Sequence, residues 1–200
     1  MTGKKTNSRK SEIIRSAIEL IAQEGIQNLT IKNLAARVGV TEGALYRHFT
    51  GKMEILLGIL ETFEETTDEL IDGIRETGAP AMKQLESLFT KRFRQFSSSP
   101  ELASVIFAEE IFQNDPCLTD QIIKIMKKSD DFIKKVIEQG QNAGEIRADI
   151  PCEQLSLLLM GSIRLIVARW HLFSFNFDLT EKGEQLWNSI KKMIQTDNAE

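Results

Sequence analysis

Between Thr30 and Lys52 the sequence reads TIKNLAARVGVTEGALYRHFTGK, and five of its side chains could do one kind of chemistry together. Thr41, Tyr46, Arg47, His48 and Lys52 are all hydrogen-bond donors suited to phosphate oxygens, and none is needed to fill a core. Gly43 and Ala44 stand among them and are small enough to let a backbone approach a base edge closely. Lys52 opens a helix whose first N–H groups and dipole already favour an anion, so a cation there fits best if a phosphate is bound. A lone lysine at a helix start is also common without any ligand.

Two short helices must position this set. Leu34, Ala35 and Val38 share one face of the first by helical spacing. Gly39 supplies the break, since glycine takes positive φ without a Cβ penalty. Thr41 is a good N-cap for a second helix over Glu42–Phe49, with Leu45 and Phe49 turned inward one turn apart. A helix, a glycine turn and a second helix with small residues at its start follow the helix-turn-helix plan. Upstream, a helix to about Glu24 carries Ile13, Ile14, Ala17, Ile18 and Ile21 on one stripe and stops at Gly25. Residues up to about Ser8 read as a disordered tail. The three helices make a small headpiece, marginal by itself.

Charge agrees with a polyanion partner. The chain of 200 residues has a net charge of −4. Met1–Lys52 carries nine Lys/Arg against four Asp/Glu, and the rest sixteen against twenty-five, so +5 and −9 sum to −4. A basic front on an acidic body suits a local phosphate contact, although lysine-rich N-termini are often plain solvated tails. Nothing alternates with a strand period and no repeat is visible, so the chain is expected to be all-α. The N-terminal lysines have no apolar run behind them, unlike a secretory signal. Leu155–Trp170, the most apolar run, contains Arg164 and Arg169 and reads as too short and too charged to span a bilayer. Cys117 and Cys152 lack metal-ligand spacing and fit a reducing cytoplasm. No metal, cofactor or catalytic constellation is expected.

The remaining chain reads as six helices. They run from Lys52 to about Glu76, from Pro80 to the Ser97–Pro100 break, from Glu101 to about Gln113 with Asn114–Pro116 ending it, from about Leu118 to about Ala143, from Pro151 to about Phe173, and from a Thr180 cap onward. Phe89, Phe93, Phe96, Phe107, Phe112, Met126 and Phe132 fall on inward stripes of the middle helices and are candidates to line a ligand pocket, or simply core. Arg164 lies in a strongly apolar helix and needs a partner: Glu109, Glu110 or an anionic ligand. The last two helices present more apolar surface than one chain can cover. Leu158, Trp170, Leu186, Trp187 and Ile190 are therefore expected at a two-fold dimer interface.

The segment from Ile13 to Ile55 resembles the DNA-binding domain of TetR/AcrR-family transcriptional regulators. The resemblance rests on the Ala17–Gly25 helix end, Leu34-Ala35, Val38-Gly39-Val40-Thr41, Gly43, Leu45-Tyr46, His48-Phe49 and Lys52. It covers about a quarter of the chain. It implies about nine helices: a helix-turn-helix DNA-binding domain over residues 1–51 and a larger helical ligand-binding and dimerisation domain over 52–200. By position, Thr30, Thr41, Tyr46, His48 and Lys52 would contact phosphates, and Lys32, Glu42, Gly43, Ala44 and Arg47 would face or reach base edges. Glu42 departs from a favourable choice, since a carboxylate repels phosphate, and it serves equally as the acidic residue of its own first turn.

The expectation is a ligand-responsive regulator, a repressor that binds a near-palindromic operator in double-stranded DNA as a homodimer. A small hydrophobic or amphipathic effector of unknown identity would release it. No membrane partner and no enzymatic activity are expected. The rival is a helical protein-interaction module that binds no specific DNA.

Overall fold

The computed structural model describes residues 3–113 and 115–196, with side chains from Arg9 onward, that of Glu109 excepted. Among the described residues the chain is all-α, with nine α-helices and two 3-10 turns. They form two compact units: residues 1–64 with 101–122, and 65–100 with 123–200.

In the first unit α1 (Gly3–Glu24) buries Ile13, Ile14, Ala17, Ile18, Leu20 and Ile21. Its backbone is helical already from Gly3, where composition predicts a disordered tail; Met1 and Thr2 lie outside the described residues. Gly25, at φ 85°, ends the helix, and a 3-10 turn (Ile26–Asn28) leads into α2 (Ile31–Val38). Then come α3 (Glu42–Tyr46) and α4 (Lys52–Arg75), the latter long enough to belong to both units. Gly58 lets α4 seat closely in the first unit, because a Cβ there would lie 2.6 Å from Ile14 Cδ1. The unit is completed by α6 (Pro100–Ile106), a second 3-10 turn (Glu109–Ile111) and the start of α7 (Pro116–Asn142). The helix expected over 101–113 thus ends seven residues early. Asn114 of its expected terminus is outside the described residues.

In the second unit α5 (Ala81–Ser98) packs on α9 (Leu179–Ile194), with α8 (Cys152–Leu172) also against α9. The face of α5 is aromatic: Phe89, Phe93 and Phe96 are each buried, and the Phe89 and Phe93 rings meet edge to face at 5.9 Å. The cap of α9 is Asp178, not Thr180. One carboxylate oxygen accepts from both Thr180 N (2.8 Å) and Glu181 N (3.0 Å), which a charged acceptor does better than a hydroxyl. A part-buried polar link joins α7 and α8. Ser156 Oγ donates to Asp130 at 2.6 Å, and Lys134 sits 2.6 Å from the same carboxylate. Burial pushes the Asp130 carboxyl up, yet the hydrogen bonds from Lys134 and Ser156 together hold it below its ordinary value.

The helix α8 covers nearly the whole of the expected Pro151–Phe173. At 21 residues it is long and apolar enough to cross a bilayer by length and composition, but weak evidence of a span, since a soluble core helix passes the same test. A core helix would be mostly buried, whereas only 28% of its most apolar window is buried. Leu157, Leu158, Leu165 and Leu172 are exposed along it.

At Gly183 α9 touches α5 closely, since a Cβ there would collide with the Phe93 ring. Gly183→Ala is therefore expected to lower unfolding stability by about 1–3 kcal/mol in a urea titration, despite alanine's better helix propensity. A gain in stability would show that this contact is not tight.

Candidate nucleic-acid interface

The helix-turn-helix is set by three local devices. Thr30 Oγ1 accepts from Asn33 N at 3.1 Å and starts α2. Gly39, at φ 73°, takes the left-handed conformation, and Val40 N closes on Ala35 O at 2.9 Å to end it. Thr41 Oγ1 accepts from Ala44 N at 3.2 Å and starts α3. Both expected N-caps are present. As a regular helix α3 stops at Tyr46, shorter than the expected Glu42–Phe49; the chain turns on through Arg47 while Leu45 and Phe49 stay buried. Arg37 fixes α2 on α1 by reaching Gln23 (2.5 Å) and Glu24 (3.3 Å).

With the inner face fixed, the outer face collects most of the expected donors. Thr30, Lys32, Thr41, Glu42, Gly43, Arg47 and Lys52 are exposed, and Ala44 and His48 half-buried. Tyr46 is 54% exposed, an aromatic ring that contributes little to the core. Gly43 is informative: its φ is ordinary and a Cβ there would meet nothing within 4 Å. The fold does not demand glycine at this position, whereas Gly39 needs its positive φ.

At the start of α4, Glu54 Oε2 accepts from Thr50 N (2.6 Å) and Thr50 Oγ1 (2.9 Å), a two-bond clamp that fixes the turn between α3 and α4. The Thr50 backbone N–H, then its hydroxyl, hold the Glu54 carboxyl below its ordinary range. Lys52 Nζ donates to Ile26 O at 2.7 Å, so this cation also ties α4 to the 3-10 turn. An ammonium has three donors, which leaves capacity for a phosphate. Neither Glu54 nor the Lys52 tie was foreseen. Thr50 followed by Glu54 was the available signal for the first; the second joins residues 26 apart and had none.

The other site residues divide. Phe107 and Phe112 belong to the first unit, and Phe89, Phe93, Phe96, Phe132, Met126 and Arg164 to the second. Phe89, Phe93, Phe96, Phe112 and Phe132 are buried, and Phe107 half-buried. Met126 is 42% exposed and is not inward: the buried face of α7 follows Leu118, Ile125, Phe132 and Val136, which puts Met126 at its edge. Arg164 is half-buried, not the deeply buried guanidinium the sequence suggested. That description fits Arg92, 7% exposed, bonded to Gln95 Oε1 (2.8 Å) and Thr67 Oγ1 (3.4 Å) with Phe96 5.8 Å away. Burial lowers its pKa to about 10, still charged at neutral pH. Its position one turn from both Phe89 and Phe96 was legible as inward spacing.

Of the expected dimer residues, Leu158 is 60% exposed and Leu186 and Ile190 are half-buried. Trp170 and Trp187 must be corrected, since both are buried within the second unit. The Trp170 indole donates to Phe177 O at 2.8 Å, and the Trp187 ring packs 5.1 Å from Phe89.

Comparison with known proteins brings both parts together. Residues 13–59 match the family model described as bacterial regulatory proteins, tetR family, and residues 62–193 match that of the YsiA-like protein C-terminal region. The nucleoid occlusion factor SlmA of Vibrio vulnificus is 24% identical over 199 residues, 98% of this chain and all of that one. The fatty acid metabolism regulator protein of Bacillus subtilis is 24% identical over 194 residues, 96% of each. Among solved structures, the transcriptional regulator FadR of Bacillus subtilis in complex with stearoyl-CoA superposes with a TM-score of 0.76 at 25% identity, covering 92% of this chain and 96% of that one.

Two outcomes follow for the interface. Gly43→Ala should leave the fold intact or stabilise it by roughly 0.5 kcal/mol, because no atom opposes the methyl, while Gly43→Leu should melt normally yet lose operator affinity. Equal affinity for the leucine variant would remove Gly43 from the contact surface. For Glu54 the sign is that of a depressed carboxylate. Its contribution is fully present above the unfolded value of about 4.3 and is lost as pH falls through the lower folded value. Glu54→Gln should thus cost about 0.5–1 kcal/mol at pH 7 and show a shallower acid decline in denaturation midpoints. Superimposable pH curves would contradict the cap.

Proposed function

We propose, starting from the fact that this chain belongs to the tetR family of bacterial regulatory proteins, that it is a repressor released from its operator by a long-chain acyl thioester. The family makes it a DNA-binding transcription regulator with an all-α fold; the family is one of regulators, not enzymes. The observation that carries the reading is the capped helix pair from Thr30 to Tyr46, lying wholly inside the residues 13–59 match and turning its donors outward.

Residues 1–51 act as the DNA-binding domain and 52–200 as the ligand-binding and dimerisation domain. Thr30, Thr41, Tyr46, His48 and Lys52 hold phosphates, and Lys32, Gly43, Ala44 and Arg47 approach base edges. Glu42 serves its own helix start. Two chains associate through the exposed leucines of α8, an apolar face that one chain leaves uncovered. The dimer sets two recognition helices about 34 Å apart on successive major grooves. The effector class is supported by the stearoyl-CoA bound to the Bacillus subtilis FadR and by the aromatic face of α5. The ligand acts by preferring the state in which α4 holds the headpieces at the wrong spacing. A 100-fold release needs about 2.7 kcal/mol of differential affinity.

A gel-shift titration on the DNA upstream of the gene tests both halves. A discrete complex with two chains per operator is expected, weakened about 100-fold by saturating stearoyl-CoA. No discrete complex contradicts the DNA reading, and a complex indifferent to stearoyl-CoA contradicts the effector class.

A further inference from the structure

The first turn of α4 holds the helix-turn-helix at both of its ends. On the entry side, Lys52 Nζ donates to Ile26 O at 2.7 Å, in the 3-10 turn that leads to Thr30 and α2. On the exit side, Glu54 Oε2 accepts from both donors of Thr50, the backbone N–H at 2.6 Å and the hydroxyl at 2.9 Å, one residue past the buried Phe49. Charge makes Glu54 the odd member of this surface. Its carboxylate stands two residues from the exposed Lys52, where a negative group repels phosphate and a neutral one would not. Its hydrogen bonds lie at a solvated rim, so their net contribution to stability is modest. What they supply is geometry. They restrict residues 47–51, which belong to neither α3 nor α4 and carry the chain from one to the other.

We propose that Glu54 is a positioning residue for operator binding, one that touches no DNA and instead holds α3 and the Lys52 ammonium in the one relation that lets both meet the same duplex. The inference rests on the operator-binding reading above and is independent of the effector. The phosphates and base edges of a duplex stand in fixed places, so contacts from α3 and from α4 are made together only when the connection between them is already set. With the clamp closed, that connection is preorganised. Without it, binding must also order residues 47–51. Apparent affinity then falls with the fraction of headpieces that are set, and in the two-chain complex that fraction enters twice.

Glu54→Gln and Glu54→Met separate position from charge. Both are neutral and of similar length and helix propensity, and only glutamine keeps an oxygen for Thr50. With the full-length protein and the DNA upstream of the gene, Glu54→Gln should bind about tenfold more tightly than Glu54→Met, about threefold for each of two headpieces. Lys52→Ala should weaken the Glu54→Gln protein about fivefold and the Glu54→Met protein less than about twofold, because Lys52 and α3 no longer act together once the clamp is gone. Circular dichroism at the assay temperature shows whether the compared proteins are folded, and Glu54→Ala replaces a methionine variant that is not. Equal affinity of the two neutral variants, or the same penalty for Lys52→Ala in both, overturns the inference alone. No discrete complex with the unaltered protein overturns the operator reading and this inference with it.

Discussion

A five-residue helix has no stability of its own in water, because its nucleation cost exceeds what so few hydrogen bonds return. α3 exists because Thr41 closes its first turn and because Leu45, with Phe49 just beyond, is fully buried. Each of these depends on Gly39, whose left-handed backbone turns the chain so that α3 packs on α2. The exposure of Tyr46, Arg47 and Gly43 is the complement of that burial. A helix this short has room for one apolar stripe and one outward set. The surface the protein offers to DNA is thus fixed by what its other side must bury.

The second unit is organised by the opposite problem, polar groups placed where apolar ones would suffice. Arg92 on the aromatic face of α5, the Ser156–Asp130–Lys134 link and the unbonded Trp187 indole all cost desolvation free energy. The first two are met by hydrogen bonds within the chain, and they constrain how α5, α7 and α8 are placed. The third is not met. That difference separates groups that hold the core together from one whose desolvation is left uncompensated.

Much of this was legible in the sequence where the signal is local. Glycine at a helix end, threonine before a periodic run and paired apolar residues a turn apart located the headpiece helices and both of their N-caps. What escaped depends on contacts between distant residues or on competition between neighbours. Asp178 outcompetes Thr180 as the cap of α9 because a carboxylate can hold two N–H groups at once. Met126 lies outside the inward stripe because the true phase of α7 is set by its packing. Arg164 drew notice as a charge in an apolar run, but α8 has an uncovered side, and half-burial follows. Trp170 and Trp187, large and apolar, are buried inside the unit by contacts with residues distant from their own helical turns, the second against Phe89 of α5.

In the proposed dimer the exposed leucines of α8 would pair the chains and so double the phosphate contacts of the headpiece. The most direct test is the salt dependence of operator binding. Lys52 from each of two chains neutralises a phosphate, so log affinity against log salt should fall with a slope of about −2, and more steeply where Lys32 and Arg47 also reach phosphates. A slope near zero would contradict the assignment of this surface to DNA.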